Sequence, residues 1–142
     1  MQTKANATIK VTAIINAPVE KVWEYWTSPE HIVRWNNASP DWCTPEAHND
    51  LRINGNFKYR MEARDGSMGF DFEGVYTDVK PLKYIAYTIV DGRQVAIHFN
   101  QTENGTAVEE YFEAESTHSV EMQQMGWQAI LDHFKSYTES SM

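Results

Sequence analysis

Four Asx-Gly dipeptides, Asn54-Gly55, Asp65-Gly66, Asp91-Gly92 and Asn104-Gly105, cut the middle of the chain into segments of strand length. Asn, Asp and Gly tolerate the positive φ angles of tight hairpin turns, so each dipeptide predicts a reversal between antiparallel strands. The segments between them alternate in polarity. Phe57, Tyr59 and Met61 alternate with Lys58, Arg60 and Glu62, and Phe70, Phe72, Gly74 and Tyr76 with Asp71, Glu73, Val75 and Thr77. Lys80-Pro81 turns the chain into residues 84–90; Val95, Ile97 and Phe99 then share one face of 93–101, as do Val108, Glu110 and Phe112 in 106–114. One apolar face and one wet face predict an antiparallel meander covered on one side.

The cover lies at the end of the chain. In 119–137, Met122, Met125, Gly126, Ala129, Ile130, His133 and Phe134 recur at three-and-four spacing and predict one apolar stripe on a helix. Trp127 and Leu131 flank that stripe, while Glu121, Gln124, Gln128, Asp132 and Lys135 fall mostly on other faces. Thr117 or Ser119 supplies the cap. At the other end, Ile9, Val11, Ala13 and Ile15 alternate as a strand, and Pro18 opens a short helix carrying Val19, Val22, Trp23 and Trp26. Ser28-Pro29 starts a second, with Ile32, Val33 and Trp35. Residues 36–49 hold Pro40 and Pro45 without a clear period, and read as a partly extended flap around Trp42 and Cys43.

At 142 residues the chain is expected to form one domain, residues 1–142. A formal charge of −8 and the lack of any basic run argue against nucleic acid and anionic membranes as partners. The single Cys43 suits a reducing compartment, and no stretch has the apolar length of a membrane span or signal peptide, so a cytoplasmic location is expected. His31, His48, His98, His118 and His133 are scattered, and Cys43 with His48 offers too few ligands for zinc. No metal is therefore expected. Phosphate-loop, dinucleotide and Ser-His-Asp patterns are absent, and no cofactor is expected.

The strand, two short helices, run of about six strands and long terminal helix bring a family into view. The stretches Ala17-Pro18 to Val22-Trp23, Thr27-Ser28-Pro29-Glu30 with Trp35, and 50–57 carry the resemblance. So do Arg60-Met61, Asp65-Gly66, 70–76, Asp91-Gly92-Arg93 and 126–131. Together they resemble the START/SRPBCC, or birch-pollen-allergen-like, superfamily, in the branch named after activators of the heat-shock-protein-90 ATPase. The usual Gly-Gly before Phe57 is Gly55-Asn56 here. The resemblance implies an α+β helix-grip fold, a curved seven-stranded antiparallel sheet wrapped around the C-terminal helix, with a cavity between them for apolar or aromatic small molecules. It also implies two alternatives, a polyketide cyclase or dehydratase-like enzyme and a chaperone-interacting co-regulator.

On that fold, the pleat places Tyr59, Met61, Phe70, Phe72 and one of Tyr84 or Tyr87, here taken as Tyr87, toward the helix. The helix stripe offers Met122, Met125, Gly126 and Ile130, with Gly126 allowing close backbone approach and the methionines adapting to ligand shape. Trp35 and Trp42 are expected at the mouth. Glu110, on an apolar face, is the one candidate for acid–base chemistry, the other expectation being an arginine partner or a place at a strand end. Catalytic residues stay unassigned. The same side chains could also fill the space themselves.

Overall fold

The computed structural model describes residues 7–140. Polarity alternation becomes seven strands, β1 (Thr8–Ile15), β2 (Trp42–Asn49), β3 (Asn56–Ala63), β4 (Gly69–Lys80), β5 (Tyr84–Ile89), β6 (Gln94–Thr102) and β7 (Gly105–Glu113). They form one curved antiparallel sheet in the order β1-β7-β6-β5-β4-β3-β2. Two short helices, α1 (Val19–Thr27) and α2 (Pro29–Trp35), follow β1, and the long α3 (Val120–Ser140) ends the described chain. This is the α+β helix-grip arrangement.

Each Asx-Gly dipeptide lies at or between the ends of successive strands, and Asn54, Gly66, Gly92 and Gly105 all take positive φ. Inward faces follow the pleat. Ile85, Tyr87 and Ile89 of β5, Val95, Ile97 and Phe99 of β6, and Val108, Glu110 and Phe112 of β7 are all buried. Gly74 gives Phe57 its place, because a Cβ there would meet the Phe57 ring at 2.9 Å and the Thr88 carbonyl at 2.5 Å.

Residues 42–49 differ from the expected flap. They pair with β3 as an edge strand, with an irregularity between Cys43 and Glu46 that accommodates Pro45. An edge strand needs partners on one side only, so a proline without an N–H is tolerated there. Asn49 ties this strand inward, donating to the Thr27 carbonyl at the end of α1 and accepting from the Tyr76 hydroxyl on β4.

α3 is rotated from its expected setting. Its buried residues are Gln123, Leu131, Phe134 and Thr138, with Trp127 and Ile130 packed against the core, a face about a third of a turn from the methionine stripe. Ser119 caps the helix, accepting from the Met122 amide at 3.1 Å. Gln123 is buried because its amide serves the preceding loop, accepting from the Glu115 N–H and donating to the Glu115 and His118 carbonyls. The polar face covers the open edge of β1. Gln128 donates to the Thr12 carbonyl, Lys135 to the Ile14 carbonyl and Gln124 to the Lys10 carbonyl, while Glu139 accepts from the Asn16 amide. An open strand edge presents unpaired backbone groups that must be met by something. Here helix side chains meet them, and the methionines turn to solvent.

Candidate functional site

Between the sheet and α3 lies a cavity of about 240 Å³. From the sheet, β3 lines it with Phe57, Tyr59 and Met61, and β4 with Phe70, Phe72 and Tyr76. Ile85, Tyr87 and Glu110 come from β5 and β7, and Arg93 from the turn before β6. Trp26, Trp35 and Asn36 close one end, and Trp127 and Ile130 contribute the helix wall. Two ring clusters hold these walls. Phe134 meets Trp26 and Trp35 edge-on at 4.8 and 4.9 Å between centroids, and Phe57 contacts Tyr59, Phe72, Tyr76 and Tyr87 within 5.6 Å. Trp127 stacks flat on Phe112 at 3.8 Å.

Of the residues singled out from sequence, Trp35, Tyr59, Met61, Phe70, Phe72, Tyr87, Glu110 and Ile130 border this space. Trp35 is no gate. It is 3% exposed, and its indole N–H donates to the Tyr25 carbonyl, so it belongs to the fixed inner wall. Trp42, on the edge strand, stays outside the lining and leans on Phe70 at 6.0 Å. Met122 and Met125 are exposed at 60% and 72%, and Gly126 approaches nothing, a Cβ there finding no atom within 4 Å. The rotation of α3 removes all three from the cavity. Gly126→Ala should therefore stabilise the protein by about 0.8 kcal/mol through helix propensity alone, read as a rise of a few degrees in Tm; a fall would restore the close approach.

Sequence reasoning passed over Trp26, Asn36, Phe57, Tyr76, Ile85, Arg93 and Trp127 as site residues. The missed signal on α3 was bulk: Trp127, Ile130, Leu131 and Phe134 form a stripe of large, stiff side chains beside the one of small or flexible ones. Arg93 carried no such signal, since it follows a turn and breaks no alternation.

The chemistry of the cavity centres on Glu110. Its side chain is buried on β7, opposite Val11 of β1 and Ile97 of β6. No hydrogen bond or ion pair reaches it from the described residues, and burial pushes its carboxyl up to about 8. The expected arginine is absent from it: Arg93 donates to the Asp91 carboxylate at 2.9 Å and to the Glu113 carbonyl. Burial also raises the Tyr59, Tyr76 and Tyr87 phenols, which stay protonated. At neutral pH burial thus favours the protonated form of the one carboxyl in this largely aromatic chamber. Among the described residues no group of three or more His, Cys, Asp or Glu could hold a metal ion, and no helix is long and apolar enough to cross a membrane.

Comparison with known proteins places this geometry. The sequence profile described as activator of Hsp90 ATPase homolog 1-like protein matches residues 16–139. The solution structure of an AHSA1-like protein from Aeromonas hydrophila is similar at 43% identity and a TM-score of 0.90, covering 95% of this chain and 94% of that one. Chr148 from Cytophaga hutchinsonii is similar at 52% identity and a TM-score of 0.79, covering 95% and 92%. NE0264 from Nitrosomonas europaea shares the fold at 19% identity and a TM-score of 0.82, over 97% of both chains. Comparison with curated proteins gives no match.

Proposed function

Since the chain belongs to the activator of Hsp90 ATPase homolog 1-like family, whose fold generally binds hydrophobic ligands, we propose that it holds a small apolar or aromatic molecule between the sheet and α3. The observation that carries this reading is the ring-walled cavity itself. At about 240 Å³ it lies just below the range of drug-sized pockets, so it suits a one- or two-ring molecule better than a sterol. Apart from the Trp127–Phe112 stack, its rings meet one another tilted or edge-on, which leaves flat faces available to a planar guest.

A thermal-shift screen against planar aromatics tests the reading. A ligand at a hundred times its Kd contributes about 2.7 kcal/mol, raising Tm by roughly 5–10 °C for a domain of this size. Ile130→Trp places a bulky ring in the helix wall and should abolish the shift, whereas Met125→Glu, on the solvent face, should preserve it. Equal effects of the two would overturn the mapping. A second reading, a cyclase or dehydratase-like enzyme, is favoured by Glu110 alone, a buried acid able to hand a proton to a bound molecule. Turnover lost in Glu110→Gln, with binding retained, would establish it.

A further inference from the structure

Buried carboxyls are normally paired, and removing a partner from one leaves a costly isolated charge. Among the described residues Glu110 has no such partner. From β3, β4 and β5 the titratable groups lining the cavity are Tyr59, Tyr76 and Tyr87, none of them a cation. β1 and β6 oppose Glu110 with Val11 and Ile97, and α3 lines the space with Trp127 and Ile130. Arg93 is the one cation in the lining, and its guanidinium is already taken up by Asp91 and the Glu113 carbonyl. Among the described residues, none therefore supplies a free cation to Glu110, and a bound molecule could. The walls suit one, because the faces of Trp and Tyr rings attract ammonium groups. Both the Tyr59 and Tyr87 phenols stand near enough to be coupled electrostatically to the Glu110 carboxylate. A net charge of −8 further favours the arrival of cations over anions.

Building on the cavity reading above, we propose that the ligand is an amphipathic amine, an aromatic or apolar body bearing one protonated nitrogen, with Glu110 as its buried counter-ion. The ammonium pairs with the Glu110 carboxylate while the ring body lies among Phe57, Phe72, Tyr87 and Trp127. Binding a protonated amine requires Glu110 to lose its proton, so uptake below pH 8 releases about one proton per ligand. No covalent step is involved.

Isothermal titration of the intact protein with tryptamine and with its neutral counterpart tryptophol, at pH 6, 7 and 8 and in buffers of differing ionisation enthalpy, tests this. With Glu110 at about 8, linkage sets a rise of about fifty-fold in tryptamine affinity from pH 6 to pH 8. Tryptophol, needing no charge, should bind more weakly at pH 8 and show no such rise. Glu110→Gln should lose the preference and the proton release while still binding tryptophol. Tryptophol binding as tightly as tryptamine at pH 8, or tryptamine binding without proton release at pH 6, overturns the amine assignment. If neither binds while neutral aromatics shift Tm in the screen above, the amine assignment falls and the cavity reading stands. If that screen is also flat, both fall.

Discussion

Phe134→Ala is expected to lower stability by about 3–5 kcal/mol, the cost of a buried phenylalanine replaced by a void. For a chain of this length that is a fall in Tm of roughly 10–15 °C. Phe134 is fully buried on α3 and joins the Trp26 and Trp35 rings from the short helices, so truncation unseats both neighbours at once. Met125→Ala, nine residues earlier on the same helix and 72% exposed, should change stability by less than about 0.5 kcal/mol, as surface substitutions do. Calorimetric melts of the pair decide which face of α3 is inside. A large loss at Met125 with a small one at Phe134 would rotate the helix back.

The second large effect is a stability difference that depends on pH. Glu110 has a folded-state value of about 8 against 4.5 in an unfolded chain, so the folded protein holds a proton that the unfolded one releases. Its contribution is complete below pH 4.5 and is lost as pH rises to about 8. At about 1.36 kcal/mol per pH unit the loss is on the order of 4–5 kcal/mol, a large share of the 5–15 kcal/mol typical of a folded domain. Glu110→Gln carries no such proton. Its advantage over the natural chain should be small near pH 5, grow through pH 6 and 7, and level off above 8. Urea unfolding at a series of pH values reads this directly, and an advantage independent of pH would remove Glu110 as a buried acid. A carboxyl at this cost, with no partner among the described residues, accords with the counter-ion role proposed above.

Where local chemistry decides the structure, the sequence could be read closely. The bounds of β1, α1 and α2 and the inward faces of β6 and β7 follow from alternation, turn residues and Pro18 and Pro29, whereas on β5 alternation left Tyr84 and Tyr87 both open. Most of the sheet side of the cavity was legible for that reason, since a strand's pleat settles which way Tyr59, Phe72 and Glu110 point. What failed depends on a distant partner. β2 was hidden because Pro45 and an irregular register disguise an edge strand. The setting of α3 was misread because Gln124, Gln128 and Lys135 look like a solvent face, yet hydrogen-bond the edge of β1 more than a hundred residues earlier. Hydropathy treats a polar side chain as wet wherever it sits. It has no means of seeing a backbone edge that polar side chains alone can satisfy.

The pairing of β1 with β7 has a consequence for how the protein is made. Ile15 lies opposite Thr106 and Thr8 opposite Glu113, so the first of these seven strands to be synthesised pairs with the last of the seven, about ninety to a hundred residues later. β2 to β7 form a chain of neighbouring hairpins that can close as they emerge. At roughly 5–20 residues per second on the ribosome, the apolar row Ile9, Val11 and Ile15 waits on the order of 5–20 s for its partner, and its outer edge waits longer for α3. Closing so long a loop is the slow part of assembling such a topology. The domain is therefore most open to misassociation through β1 during synthesis, and a circular permutant opened between β1 and α1, which places β1 after α3, should shorten that interval.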